Sequence, residues 1–385
     1  MRIPRFIQFG LLALAICLAA GCDTSNDNNT GTTSSTGTGN TPIAPKAVYT
    51  LTNEATNRVR AFTRSTTGAL TFLNNFATGG SGTAGGLNGS SGAVVFQANT
   101  NRLFAVNAVS NSVTMMLLGI DGTLTPVSTV NSGGVRPISV TVSGDLVYVL
   151  NFGDGGANAA NISGFAVSGN QLVPIPNSTQ LLSQVNPNPA QIGFHPSGTV
   201  LVVTERATNQ IMTFPLVGGV AQAGTAQASQ GATPFGFSFT STGVLVVSEA
   251  QGGAANGSTV SSYLVGVNGT LTPVTAALAN NQTGACWVAI APGVPFAFVT
   301  NTGSNSVSVY QIAANGGLTL LAGGNSGTTG ANPIDLAISD DNLFVYTLNG
   351  GDQTISAFGL AANGTLTPLP GAAGLPASSV GLVAR

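Results

Sequence analysis

NPIDLAISDDNLFVYTLNGGDQTISAFGL, residues 332–360, contains three short runs of β-branched and apolar residues separated by polar turns. Pro333 opens the first run, Asn349 ends the second, and the third alternates from Gln353 to Leu360. Runs of this length bounded by Gly, Asn and Asp read as antiparallel strands joined by hairpins. The same order recurs along the chain. Apolar strings end on a polar residue at Asn53, Asn107, Asn151, Glu205, Glu249, Asn301 and Asn349, with spacings of 54, 44, 54, 44, 52 and 48 residues. Pro-led strands such as NPAQIGF (188–194) and TPFGFSF (233–239) usually precede these strings. A GxLTP-like fourth strand follows the third, across turns in which Asp121-Gly122, Asn268-Gly269 and Asn363-Gly364 offer the positive φ that tight hairpins favour. Four short antiparallel strands per repeat of 44 to 54 residues are the signature of a propeller blade. Helical periodicity is absent.

The ends decide between a closed ring and an open solenoid of hairpins. The domain begins at Ala47 with a second strand, whereas LPASSVGLVAR (375–385) reads as a first strand with no second. Joining them completes a blade and leaves no sheet edge exposed. The expected fold is therefore all-β, a seven-bladed β-propeller over residues 47–385 with four antiparallel strands per blade, the first blade completed by the C-terminal strand.

Ahead of the repeats, Arg2 and Arg5 precede an apolar stretch from Phe6 to Ala20, the layout of a bacterial secretory signal over residues 1–21. LAAGC (18–22) resembles a lipobox, in which a peptidase cuts before a lipidated cysteine. Cys22 is thus the expected lipidation site, with an ordinary signal peptide as the alternative. Residues 22–46 hold almost no apolar side chains and read as a flexible tether. The implied address is the bacterial cell envelope, periplasmic or cell surface, with the membrane as partner through the N-terminal lipid.

Only 6% of residues are charged, so solubility rests on amides and hydroxyls. Without Arg2 and Arg5, eight basic and twelve acidic residues leave a net charge of −4 with no basic cluster, which argues against nucleic acid as a partner. With Cys22 lipidated, Cys286 has no partner for a disulfide and reads as a small buried residue. No spacing of His, Cys or Asp suits a transition metal, no Gly-rich loop precedes a helix, and no cofactor is implied. Asp154 and the pair Asp340-Asp341 read as turn residues, and His195 in FHPSG (194–198) as a turn on the opposite face from the funnel.

FVTNTGSNSVSVYQI (298–312) resembles the YVTN-type propeller repeat of bacterial surface proteins. TERATNQI (204–211), PFGFSF (234–239), VSEA (247–250), SSY (261–263) and ACW (285–287) resemble the lactonase-type seven-bladed propellers, which include 6-phosphogluconolactonases and carboxymuconate cyclases. That resemblance covers residues 47–385 and implies a lactone or sugar-lactone-like ring ester as ligand in the central funnel. Many such propellers place an Arg-His pair after an inner-strand proline, where this chain has Phe235-Gly236.

In a propeller the first strands start, and the second strands end, on one face, so both contribute to the funnel rim. Five of the seven second-strand ends are Asn, but adjacent repeats have Glu205 and Glu249, and Arg206 follows the first. A carboxylate pair beside a cation has the makings of a general base and an oxyanion partner, which makes Glu205, Arg206 and Glu249 the catalytic candidates. A structural salt bridge to Arg206 is the competing reading. Arg136, Phe235, Trp287, Asn301 and Asp335, at or near the same rim, are the ligand-binding candidates, although Trp287 reads more naturally as a wedge between blades. Three functions remain open: lactone hydrolysis, non-catalytic binding of a sugar-like ligand or envelope protein, and a structural surface role.

Overall fold

The computed structural model describes residues 45–87 and 89–385. The expected leader, the expected lipidation site Cys22 and the expected tether, as far as residue 44, lie outside the described residues. The described residues build seven antiparallel sheets, each following chain order from inner to outer strand except the first. There, Val380–Ala384 pairs with Ala47–Leu51 and becomes the innermost strand of blade one, the expected closure. Inner strands pack on those of the next blade around a complete circuit. Blades three, four and six depart from four strands because the outermost is broken into two short pieces that pair separately with the third. In the hairpins, only the glycine takes positive φ, at Gly122, Gly269 and Gly364. The preceding Asp or Asn acts differently from the expectation: Asp121, for example, accepts the amide and hydroxyl of Thr123.

Alternation puts one large apolar residue after another between the sheets. Five tyrosines, Tyr49, Tyr148, Tyr263, Tyr310 and Tyr346, are among the largest fully buried side chains. Two of their hydroxyls stitch neighbouring blades: Tyr148 donates to the carbonyl of Gly219, and Tyr346 to that of Gly68.

Polar clasps near the axis link the inner strands. The amide of Ile192 donates to Ser139 Oγ at 3.2 Å, that of Phe237 to Gln191 Oε1 at 2.9 Å, and that of Leu382 to Asp335 Oδ2 at 3.1 Å. The last bond crosses from blade seven to the C-terminal strand, so Asp335 fastens the point where the ring closes. Between blades five and six no side chain fits: a Cβ on Gly236 would collide with the carbonyl oxygen of Cys286 and lie 2.9 Å from Trp287 Cα. Charge reinforces the closure on the far face, where Lys46 pairs with Asp340 at 2.7 Å and Arg64 with Asp341 at 2.6 Å.

Candidate functional site

Strand register sets the rim. Pro137 pairs with Asn151, Pro189 with Glu205, Pro234 with Glu249, Ala285 with Asn301 and Pro333 with Asn349, so inner-strand starts and second-strand ends share one face. Residues just outside these pairs repeat as well. The residue before each inner strand adopts positive φ at Arg136, Asn188, Thr233, Gly284 and Asn332. Each accepts the amide of the residue after its paired second strand, namely Phe152, Arg206, Ala250, Thr302 and Gly350.

Glu205 and Glu249 do not open on the funnel as the sequence pattern suggested. Both are fully buried. Glu249 accepts from the hydroxyls of Ser229, Thr259 and Ser261 and from the amide of Gly231. Glu205 accepts from the amide and hydroxyl of Ser183 and from Thr208. Three of the Asn ends do a similar mechanical job with the polarity reversed, whereas Asn151 donates to Asn161 Oδ1 and Asn53 bonds Thr83 and Gly85 of the outgoing connection. Asn107 donates to Ser112 and Thr114, Asn301 to Ser306 and Ser308, and Asn349 to Thr354 and Ser356. A hydroxyl can either donate or accept, so one slot admits amide or carboxylate. In blades two to six this side chain also holds the incoming connection, through Thr78, Ser132, Ser183, Gly231 and Asn280 in turn. Burial pushes the Glu249 carboxyl above its ordinary range against the opposing pull of its four donors, Ser261 first.

Arg206 is half-buried and lies elsewhere. Its Nη2 donates to Asn188 Oδ1 at 2.6 Å, Nε donates to the Asn188 carbonyl, and the guanidinium stacks 4.9 Å from the Phe235 ring centroid. Burial lowers its pKa to about 10, partly offset by attraction to Cys286, so the group stays cationic at neutral pH. Phe235 meets Trp287 edge-on at 4.9 Å. Both rings are buried, and Trp287 fills the wedge between blades. Cys286, beside it, is buried and its thiol is pushed up to about 11 by burial, the behaviour of an inert core residue. In blade three the position equivalent to Arg206 is Phe152, and Arg136, at the position equivalent to Asn188, has its guanidinium 5.4 Å from the Phe152 ring. Asn301, offered as a ligand contact, is instead fully buried in its hydroxyl slot.

Asp335 lines a central cavity of about 370 Å³ together with Gln191, Phe237, Val288 and Leu382. Its oxygens accept the amides of Leu336 and Leu382, and burial pushes its carboxyl up to about 8. It is therefore largely protonated at neutral pH. His195 falls in a turn beyond the far end of its inner strand, bonded to Ser197. Among the described residues, no three His, Cys, Asp or Glu side chains converge as a metal site would require.

Sequence reasoning missed what covers the corner. The connection between blades one and two runs over 78–93, sixteen residues, whereas the other six connections run four to seven. It crosses the rim to blades four, five and six. The amide of Ser91 donates to the Ala190 carbonyl at 3.0 Å, and Trp287 Nε1 donates to the Ser90 carbonyl at 2.9 Å. Gly89 lies so close to Phe235 that a Cβ there would stand 2.8 Å from its ring and 3.1 Å from Arg206 Nη1. The signal was present as GGSGTAGGL (79–87), a glycine-rich run between the outer strand of one repeat and the inner strand of the next.

A family model described as Lactonase, 7-bladed beta-propeller, matches residues 257–380, about a third of the chain. No curated protein matches. Among solved structures, the periplasmic gluconolactonase PpgL of Pseudomonas aeruginosa is 18% identical with a TM-score of 0.68, covering 87% of this chain and 98% of its own. A putative 6-phosphogluconolactonase from Bacteroides uniformis is 15% identical at a TM-score of 0.68, covering 87% and 98%. A Lactobacillus plantarum protein is 16% identical at 0.69, covering 89% and 100%. At these identities the likeness establishes the propeller fold, which is a scaffold for many activities.

Proposed function

We propose that the chain is an exported, lipid-anchored propeller of the lactonase type that binds a small ring-shaped, sugar-lactone-like ligand at the corner formed by Arg206, Phe235 and Trp287, and binds it without hydrolysis. The carrying observation is the fate of the two carboxylates. Glu205 and Glu249 are sealed in cages of hydroxyl and amide donors where other blades use Asn, so neither is presented to a water or a substrate. What remains at the corner suits recognition: a cation held on an aromatic face and a second ring packed edge-on against it, inclined at 61°. The lipid anchor rests on LAAGC (18–22) and the polar segment behind it.

Hydrolysis of the same ligand is the second reading, favoured by the lactonase family match over residues 257–380. In it, Glu249 or Glu205 would activate water and Arg206 would stabilise the oxyanion. One experiment separates the two: the full chain is titrated with a panel of aldonolactones while proton release and Trp287 fluorescence are followed together. Binding reads as a saturable fluorescence change without protons. Turnover that disappears in Glu249→Gln while folding is kept would establish the hydrolase instead.

A further inference from the structure

The central cavity has a direction. Its lining runs from residues near the starts of inner strands, Gln191 and Asp335, to the last inner-strand residues Ile290 and Ile338 and to Pro292 in the turn beyond. Burial follows the same course: Asp335 and Ser91 are buried, Ile290, Ile338 and Val383 are half-buried, and Pro292 is exposed. The cavity therefore opens on the face opposite the rim and closes towards Ser91, whose amide is fixed to the Ala190 carbonyl. Its walls are mostly apolar, and among the described residues that line it Asp335 alone is titratable. Gln191 is spent within the fold, since its Oε1 accepts the Phe237 amide and its Nε2 donates to the Phe237 carbonyl. Asp335 is not spent. Both bonds to its oxygens come from backbone amides, so a protonated carboxyl there still has an O–H to give.

We infer that this cavity is a second binding site, entered from the far face, for a small, neutral and mainly apolar molecule with one carbonyl oxygen, which takes the hydrogen bond that the Asp335 carboxyl offers. The site is separate from the corner of Arg206, Phe235 and Trp287 and does not rest on the reading given for that corner. A volume of about 370 Å³ suits a compact ring system. An anion would meet no cation among the residues that line it, and a cation would have to hold Asp335 ionised against its burial. A neutral carbonyl compound covers the apolar walls and gives the buried O–H an acceptor. Burial, with no charged neighbour contributing, pushes the carboxyl up to about 8. The strands packed against Pro333–Ile338 add two titratable groups, Cys286 and Tyr346, and burial raises both well beyond that. The donor is therefore present at neutral pH and is lost as pH rises through about 8.

Camphor, a rigid ketone of this kind, is the probe. Calorimetric titration of the full chain at pH 6 should show one saturable site. At pH 9 only about one carboxyl in ten keeps its proton, so the affinity should be about tenfold weaker. Asp335→Asn keeps an N–H donor that does not titrate, and its affinity should be the same at both pH values. Ser238→Phe and Val383→Phe each add a ring at the cavity wall and should abolish the binding while far-ultraviolet dichroism stays close to the parent's. Absence of saturable binding at pH 6, equal affinities of the parent at pH 6 and pH 9, or binding unchanged in whichever of the two Phe variants folds would overturn the site. The aldonolactone titration followed through Trp287 reads the corner alone, so either site can fail without the other.

Discussion

Replacing Asp335 with Asn should change how stability depends on pH in a direction that the structure fixes in advance. The carboxyl is buried at the ring seam, its oxygens accept two backbone amides, and burial pushes it up to about 8. In the unfolded chain an aspartate titrates near 3.9, so the folded-state pKa is the higher of the two. The stabilising contribution is then complete below about pH 4 and is lost as pH rises towards 8, at about 1.4 kcal/mol per unit. Between pH 5 and 8 that slope amounts to about 4 kcal/mol. Asparagine stays neutral and keeps an oxygen for the Leu382 amide, but loses the second acceptor, a cost of about 1 kcal/mol. Asp335→Asn should therefore be slightly less stable than the parent near pH 4 and clearly more stable by pH 7, so that the two curves cross. Urea midpoints of the two proteins at pH 4, 5, 6, 7 and 8 measure this, and their difference removes every other titrating group. Parallel curves over that range would show that the carboxyl is not desolvated in the folded ring, and the clasp would have to be rethought.

Deleting Val380–Arg385 removes the innermost strand of blade one and uncovers the edge of Ala47–Leu51; loss of a single cooperative melt, with aggregation, is expected, and a melt like the parent's would refute closure at this seam. Gly236→Ala forces a methyl into the backbone of Cys286 and Trp287 and should cost about 2–4 kcal/mol in a denaturant titration. Cys22→Ser should move the exported protein from the membrane fraction to soluble or unprocessed fractions on blotting.

Strand order was legible because it is local. Pro-led inner strands, polar second-strand ends and glycine turns each carry a physical signal within about ten residues. Closure was legible as well, since Ala47 and Val380 each lacked a partner strand. The broken outer strands of blades three, four and six were not. Their breaks fall between Pro174 and Gln180, Ala221 and Thr225, and Leu320 and Gly327, and turn residues there, such as Pro176-Asn177 and Gly323-Gly324, do not by themselves separate a broken strand from the end of one. Nor did the sequence reveal which asparagine serves which contact. Asn111, Asn209 and Asn305 each accept the amide of the residue before the next inner strand, a link between blades that only tertiary structure makes visible.

The glutamates show why a contrast within a repeat is a weak guide to chemistry. Five Asn and two Glu at equivalent positions invited the thought that the exceptions act and the majority merely support. The hydrogen bonds show a single role for both. In blades two to six the side chain ties the end of the second strand to the incoming connection, and where its other partners are hydroxyls these turn around to suit an amide donor or a carboxylate acceptor. The informative departure from the repeat lay in length. A propeller tolerates substitutions in a polar slot wherever hydroxyls can reverse, but it has no structural need for a connection two to four times longer than the other six. Extra chain that folds back over a cationic, aromatic corner is hard to account for by stability alone, because ordering seven glycines opposes folding. Function is therefore better sought at the corner of Arg206, Phe235 and Trp287 than at the paired carboxylates.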